Sequence, residues 1–134
     1  LEDVLGVVVS GADASQRQAV EVALRGGFTV ITGGPGTGKT STVLRVIAAR
    51  ILLAQALGKP PPRVALAAPT GKAAARLAES VRSSCERGVV SKALATLILE
   101  GLDTRTFTLH RLLGYSKTRG IFCAVQRIHL NSIL

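Results

Sequence analysis

The sequence is poor in aromatic residues and has neither methionine nor tryptophan. Aromatic residues make up 3% of the chain, so a platform of rings that stacks on single-stranded nucleic acid is poorly supplied. The opening stretch LEDVLGVVVS also lacks the basic region with which a signal peptide begins. Without a methionine at its start, the chain is expected to be a piece of a longer protein.

Acidic residues are scarce and unevenly placed. The chain has 8 Asp and Glu against 17 Lys and Arg, for a net charge of +9. None of the acidic residues lies between Val22 and Ala78, and none follows Asp103. Clustered basic residues favour a polyanionic partner, because they release counterions condensed on phosphates. An ordinary solvated surface would give the same composition, so charge alone leaves both interpretations open.

Long apolar runs and metal-ligand patterns are also lacking. Arginines interrupt the most apolar stretch, VLRVIAARILLAQAL, so no membrane span and no membrane partner is expected. The 47% apolar content still suffices for a packed core in 134 residues. Cys85, Cys123, His110 and His129 do not follow zinc-finger spacing, and the cysteines are interpreted as small buried hydrophobic residues or free thiols in a reducing cytoplasm.

The first half of the chain reads as helix, strand, loop, helix. Asp13 is a good N-cap for a helix that Gly26 and Gly27 end. The stretch FTVIT, residues 28–32, predicts a strand that feeds a glycine-rich loop. Apolar residues at helical spacing then predict a long helix, which Gly58 and the prolines at 60–62 terminate.

The second half continues with strands and helices. RVALAA, residues 63–68, predicts a strand buried on both faces, and an alanine-rich helix follows through Val81. Ser91 caps a further helix that Gly101 ends, and TFTLHRLLGY, residues 106–115, predicts a loop feeding a short helical turn. This order is a βαβ unit with parallel strands, so the fold class is α/β. The last fourteen residues, IFCAVQRIHLNSIL, are ambiguous.

The glycine-rich loop matches the phosphate-binding pattern G-x-x-x-x-G-K-[ST], with a strand expected before it and a helix after it. Its glycines let backbone N–H groups point inward at the start of the helix, where they form a nest for an anion. The Lys39 ammonium would reach the β- and γ-phosphates of a nucleotide, and the Thr40 hydroxyl would bind Mg²⁺. A turn that is glycine-rich by coincidence is disfavoured, because every motif position is filled. The nucleotide-binding residues are Gly33, Gly34, Pro35, Gly36, Thr37, Gly38, Lys39, Thr40 and Ser41, of which Lys39 and Thr40 are the catalytic candidates.

Three further segments, ADASQRQAVEVAL, APTGKAAARL and TFTLHRLLGY, narrow the interpretation. Together with the loop, they resemble the N-terminal motor domain of RecD-like DNA helicases of superfamily 1, the group that includes the exodeoxyribonuclease V alpha chain. The resemblance runs from about Asp13 to Tyr115. It implies a partial RecA-like P-loop domain over residues 1–134, with 1–12 as a lead-in and 116–134 as a poorly matched tail.

The resemblance also implies roles for individual residues. Gln16 would be the glutamine that reads adenine, although it could instead complete a capping box with Asp13, and Gln18 is a rival for the role. APTGKAAARL and TLHRLLG would lie against single-stranded DNA, although Thr70 could be an ordinary helix cap and His110 a structural residue. The implied DNA-binding residues are Thr70, Gly71, Lys72, Thr108, His110 and Arg111.

A carboxylate pair that would complete the magnesium site is missing. Glu100 in TLILEGLD is the candidate in the sequence, but its surroundings favour a helix over a strand end. In the family the Asp-Glu motif follows TLHRLLG, where this chain has no acidic residue. We therefore expect the chain to stop short of its Walker B motif and to lack the rest of the first motor domain and all of the second. By itself it should bind ATP-Mg²⁺ weakly at best and hydrolyse ATP very slowly.

The leading hypothesis is the ATP-binding part of an ATP- and Mg²⁺-dependent helicase that moves on single-stranded DNA in repair and recombination. Its expected location is the cytoplasm, and other subunits of a helicase-nuclease complex are possible partners. Two alternatives remain open. One is a small P-loop kinase or phosphotransferase that uses Glu100 or Asp103, and the other is a DNA- or partner-binding module without catalysis.

Overall fold

The structure is a computed structural model that describes residues 2–102, 107–116 and 121–122. Within these ranges it contains six helices and four strands of two residues each. The helices are α1 (Glu2–Val8), α2 (Ala14–Arg25), α3 (Lys39–Ala56), α4 (Gly71–Glu86), α5 (Lys92–Gly101) and α6 (Leu109–Leu112). The strands are β1 (Ala67–Ala68), β2 (Phe107–Thr108), β3 (Tyr115–Ser116) and β4 (Ile121–Phe122).

Helix α3 is the centre of the molecule. Leu44 and Ile51, which lie seven residues and therefore two turns apart, are fully buried. The helix packs against α1 and α2 and also against α4 and α5. Because it has neighbours on several sides, it is apolar around most of its circumference. Its first residue is the lysine of the glycine-rich loop, so the loop is attached to the best-packed element of the fold.

The helix ends follow the predicted signals closely. Asp13 caps α2 by accepting the backbone N–H of Gln16 at 2.8 Å, and Ser91 caps α5. Gly58, at φ +64°, follows the end of α3 in the left-handed conformation that glycine tolerates best. These three predictions are confirmed. Helix α4 differs, since it runs past Val81 to Glu86, and Gly101 is the last helical residue of α5 rather than its terminator.

The parallel strand pair differs from the predicted one, which joined residues 28–32 to residues 63–68. Strands β1 and β2 pair in parallel, with Ala68 opposite Thr108, and β3 and β4 pair antiparallel. The predicted strand at 63–68 is reduced to β1 and a bridge at Val64, and it is buried on alternate residues rather than on both faces. Residues 107–108, predicted as loop, form β2. The crossover between the paired strands therefore contains α4 and α5, and the α/β class is confirmed.

The predicted strand at 28–32 is wrong as far as the described residues go. A strand exists only through hydrogen bonds to a neighbour, and no described residue pairs with this stretch. Its burial nevertheless alternates: Thr29 and Ile31 are half-buried, whereas Phe28 is 88% and Val30 68% exposed. The stretch thus has the alternating burial of a β-strand, but no described strand pairs with it.

Helix α1 was not predicted, because residues 1–12 read only as a lead-in. It buries Leu5 and Val8 in the main core. The side chain of Arg45, on α3, is buried and its Nη1 donates to the carbonyl oxygens of Val8 and, at 3.0 Å, Ser10. A cation at the carboxyl end of a helix satisfies free carbonyls and complements the helix dipole. The lead-in is therefore part of the packed domain.

Several smaller predictions have clear outcomes. Cys85 is a free, buried thiol as expected, and burial, with the nearby Glu86 carboxylate, raises its pKa. Glu100 lies on α5, as the helix prediction required. Asp103, Cys123 and His129 lie outside the described residues. No helix in the described ranges has the length and apolar character needed to cross a membrane.

Candidate nucleotide and nucleic-acid sites

The glycine-rich loop leads directly into α3 and leaves its first N–H groups free. Gly36 and Gly38 have φ values of +75° and +77°, which other residues rarely adopt. Gly38 is the N-cap and supplies no side-chain hydrogen bond, and the first intrahelical bond is Thr42 N–H to Gly38 O at 2.9 Å. The N–H groups of residues 39–41 therefore have no intrahelical acceptor. This uncapped end is suited to an anion.

The Lys39 side chain folds back over the loop. Its Nζ donates to the carbonyl oxygen of Gly33 at 2.7 Å and to that of Gly34. The Thr37 hydroxyl also donates to Gly34 O, at 2.8 Å. The loop is thus closed around an ammonium group that is bound only to neutral oxygen atoms. Charged phosphate oxygens are stronger acceptors than these carbonyls, so they could replace them.

Gln16 lies against the loop. A β-carbon placed on Gly38 would collide with the side-chain amide nitrogen of Gln16, which shows how closely the two residues approach. Of the alternative capping box, one half forms: the Asp13 carboxylate accepts the Gln16 N–H. The Gln16 amide makes no hydrogen bond to another described residue and remains available to a ligand, whereas Gln18 is exposed. The structure therefore places Gln16, twenty-two residues away in sequence, beside Gly38.

Asp13 fixes the start of the helix that carries Gln16. Its carboxylate accepts the Gln16 N–H at 2.8 Å and the Ser15 hydroxyl at 2.7 Å. These hydrogen bonds favour the ionised form and hold the pKa of Asp13 below its usual value of 3.8. The negative charge also lies at the positive end of α2. At neutral pH the first turn of α2 is therefore fixed by a charged cap.

The other candidate residues gather at one edge of the small parallel sheet. Strands β1 and β2 run in the same direction, so their carboxyl ends meet at the same edge, and a helix starts after each. Thr70 accepts the N–H of Ala73, and Thr108 accepts that of Arg111, both at 3.2 Å. Both threonines are thus helix caps. The edge brings together two helix N-termini and the exposed side chains of Lys72, His110 and Arg111.

His110 also has a structural contact. Its ring meets that of Tyr115 edge to face, with centroids 5.2 Å apart. No hydrogen bond between described residues joins this edge to the glycine-rich loop. The candidate residues thus form two groups, one around Gly38 and one at the sheet edge, and α3 packing on α4 connects them.

The electrostatics of both groups are basic. In the described part of the chain, the one Lys or Arg paired with a carboxylate is Arg17, which meets Glu21 at 3.4 Å on the surface of α2. Lys72 and Arg111 have no such partner there. The same residues contain no group of three or more His, Cys, Asp or Glu side chains that could hold a metal ion. Thr40, the magnesium ligand expected from the sequence, is half-buried in the first turn of α3.

Comparison with known proteins identifies the family of this chain. A family model described as AAA domain matches residues 16–132. The chain belongs to this AAA domain family. As a member, it is expected to use a nucleotide, which agrees with the P-loop character of residues 33–41.

The individual relatives of this AAA domain are RecD and RecD2 proteins. The chain is 56% identical over 99 residues to the RecBCD enzyme subunit RecD of Mycobacterium tuberculosis, and 39% identical over 99 residues to that of Haemophilus influenzae. It is 39% identical over 88 residues to the ATP-dependent RecD2 DNA helicase of Deinococcus radiodurans. These matches cover 74%, 74% and 66% of this chain but only 16%, 15% and 8% of the relatives. The resemblance to RecD-like helicases is confirmed, and the chain spans a small part of their length.

The sequence analysis did not identify two arginines of this AAA domain that join its helices. Arg45 and Arg50 both lie on α3, and Arg50 Nη2 donates to the carbonyl oxygens of Ala23 at 2.9 Å and Gly26 at 3.3 Å. Backbone acceptors have no sequence signature, so these contacts could not be predicted. A weak signal existed, since an arginine within an otherwise apolar helix needs a partner inside the protein.

Proposed function

We propose that the chain supplies the ATP-binding part of an ATP-dependent DNA helicase, which moves along single-stranded DNA in repair and recombination. The observation that carries the proposal is the Gln16 side chain lying against Gly38, beside an uncapped helix end and Lys39. One small volume thus offers donors for phosphates and an unpaired amide for a base. The chain's similarity to RecD and to the RecD2 DNA helicase supports the helicase interpretation.

Each loop residue has a distinct proposed role. The free N–H groups at residues 39–41 and the Lys39 ammonium bind the phosphates, and the Thr40 hydroxyl binds Mg²⁺. The bound Mg²⁺ nucleotide supplies a transferable phosphoryl group whose charge the metal partly neutralises. Gln16 binds the adenine edge through its amide donor and acceptor. The donor set fits the group, because a cation and several N–H groups converge where no carboxylate competes.

The sheet edge is the proposed DNA-binding surface. Thr70, Gly71 and Lys72 begin α4, and Thr108, His110 and Arg111 surround the start of α6. Hydroxyl groups, N–H groups at helix ends and basic side chains are the usual contacts to a phosphate backbone. The lack of acidic residues from Val22 to Ala78 removes a repulsion that DNA would meet. We further propose that the whole protein works in the cytoplasm with other subunits of a helicase-nuclease complex, and that residues 1–134 form part of a RecA-like motor domain.

Nucleotide binding by the chain tests the proposal. A fluorescent ATP analogue, titrated with Mg²⁺, is expected to bind the wild type and to bind Lys39→Ala at least about tenfold more weakly, the cost of one charged contact of roughly 1.4 kcal/mol or more. Lys59→Ala is the matched control, because Lys59 is an exposed lysine beyond the other end of α3. Equal binding by Lys39→Ala and wild type would contradict the proposal.

Binding of a labelled single-stranded oligonucleotide separates the alternatives. A helicase part should bind DNA with an affinity that changes when a non-hydrolysable ATP analogue is added. DNA binding that ignores the nucleotide and survives Lys39→Ala would instead indicate a non-catalytic module. Nucleotide binding without any DNA binding would indicate a small phosphotransferase, in which Glu100, exposed on α5, would be a candidate acidic partner.

A further inference from the structure

We propose that Arg50 is a positioning residue for base recognition. Arg50 holds the carboxyl end of α2 on α3 and thereby keeps the Gln16 side chain beside Gly38. In this way it sets the preference of the site for adenine over other bases. The inference rests on the proposed ATP binding and adds a residue that touches neither the nucleotide nor the phosphate loop.

Helices α2 and α3 run in the same direction and are joined at both ends. Near their starts, Gln16 lies against Gly38. Near the end of α2, Ala23 O and Gly26 O accept hydrogen bonds from Arg50. At 1.5 Å per residue, the acceptors lie roughly 10–15 Å from Gln16 along α2, and Arg50 lies roughly 18 Å from Gly38 along α3. The long arginine side chain can make up the difference, so the contacts are compatible with two helices lying side by side.

The segment between α2 and α3 runs back from the end of α2 toward the start of α3. From Gly26 the chain must travel back to Gly33 before α3 begins, and seven residue steps at about 3.3 Å each are more than enough for the required length. Arg50 binds the chain where this return starts. It therefore holds both the end of the helix that carries Gln16 and the beginning of the stretch that leads to the phosphate loop.

Directional bonds add to the apolar packing here, because one side of the contact is open. A surface depression of about 180 Å³ lies next to Arg50, lined in part by Thr29, Ile31 and Val46. Val20 and Ala23 bury an apolar face of α2, but apolar contacts alone are not directional and permit small shifts along a neighbour. Asp13 cannot prevent such a shift, because its hydrogen bonds lie within the first turn of α2 itself.

The Arg50 contact is also specific in its acceptors. Ala23 O and Gly26 O receive no other hydrogen bond from a described residue. One charged nitrogen therefore satisfies both carbonyls and complements the negative end of the α2 dipole. Its loss would free the end of α2 and let Gln16 move relative to Gly38. The free N–H groups at residues 39–41 belong to α3 and would stay in place.

The test measures base preference separately from phosphate binding. Fluorescent ATP and GTP analogues are titrated with Mg²⁺ into the wild type, Arg50→Met and Gln16→Ala, and inorganic tripolyphosphate is used as a competitor. Arg50→Met is expected to lower the ATP-to-GTP preference at least about threefold, toward that of Gln16→Ala, since a shift of about an ångström suffices to spoil a hydrogen bond. Tripolyphosphate affinity should remain within about twofold of wild type.

Two further variants make the result decisive. The double variant should lose no more preference than Gln16→Ala alone, because both changes act on one interaction. Arg50→Lys, which keeps one charged donor, should restore part of the preference. Arg50→Ala replaces Arg50→Met if the methionine variant does not fold, as judged by circular dichroism. A wild-type preference in Arg50→Met, or in Arg50→Ala where the methionine variant is unfolded, would overturn the inference. So would an equal loss of tripolyphosphate and ATP binding.

Failure of the proposed function would look different. Wild-type chain that binds no nucleotide, or binds ATP and GTP equally with no effect of Gln16→Ala, would remove the adenine site and this inference with it. Loss of preference in Gln16→Ala but not in Arg50→Met would leave the nucleotide site intact and overturn the role of Arg50 alone.

Discussion

Residues 2–56 and residues 63–116 hold their candidate sites in different ways. In the first region, α1 and α2 are tied to the central helix α3 by buried or half-buried arginines, and the phosphate loop begins that helix. In the second, the candidate DNA contacts lie on a two-residue strand pair, the first turn of α4 and the four-residue helix α6. A small triphosphate needs donors fixed in three dimensions, whereas a long polyanion can be held by several exposed contacts. We therefore expect the first region to respond to mutation as a unit and the second residue by residue.

The largest effect is expected from breaking the tie to α1. Arg45→Ala leaves the carbonyl groups of Val8 and Ser10 without their donor inside the protein. The free energy of unfolding should fall by about 3 kcal/mol, since hydrogen bonds to a charged group contribute roughly 1.5–3 kcal/mol. Urea denaturation followed by circular dichroism measures it. The control is Arg82→Ala on the exposed side of α4, expected to change stability by no more than about 0.5 kcal/mol. Similar losses in both variants would show that Arg45 is not a structural tie.

A smaller effect is expected from the two threonine caps at the sheet edge. Thr70→Ala should cost about 1 kcal/mol, because it uncaps α4, which buries Ala74 and Val81 in the core. Thr108→Ala should cost less than about 0.5 kcal/mol, since α6 has no buried residue. Urea denaturation measures the global change, and hydrogen exchange at 109–112 should report local fraying in Thr108→Ala. Thr70→Ser, which keeps the hydroxyl, is the control. Equal global losses would mean that α6 is as integral to the fold as α4.

The smallest effect concerns the charge on the Asp13 cap. Asn also caps helices, so Asp13→Asn removes the charge and keeps an acceptor. The pKa of Asp13 is lowered in the folded chain, so its charge stabilises the fold above the usual pKa of 3.8. That contribution is lost as the pH falls through the still lower folded value. The wild type should therefore be the more stable protein at pH 7, and the difference should vanish in strong acid. Thermal unfolding from pH 7 to pH 2 provides the measurement, and a difference that grows in acid would contradict the assignment.

Local features of this fold could be predicted from the sequence. The caps at Asp13 and Ser91 and the glycine stop at Gly58 depend on residues within a few positions of each other, so their signals are complete in a short window. The same holds for the phosphate loop, whose residues are consecutive. Strands depend on distant partners instead. For that reason residues 28–32 were predicted as a strand that the described residues do not pair, and β2 was missed.

The candidate site shows the same limit. Gln16 carries two sequence signals, one for a capping box and one for adenine recognition, and only the packing of α2 on α3 shows which way its side chain points. Arg50 left only the weak signal of an arginine in an apolar helix, and its partners could not be predicted because they are backbone carbonyls. Helix α1 was missed since its valine-rich sequence does not favour a helix, and burial against α3 stabilises it.

The stretch at 28–32 has a consequence for how the chain behaves at high concentration. An apolar segment that pairs with no described strand, with Phe28 and Val30 facing water, is a surface onto which the same segment of another molecule can add. The charge of +9 keeps molecules apart at low ionic strength. Added salt screens that repulsion within about 10 Å at 0.1 M. The salt that releases bound nucleic acid from such a basic protein would therefore also favour its self-association.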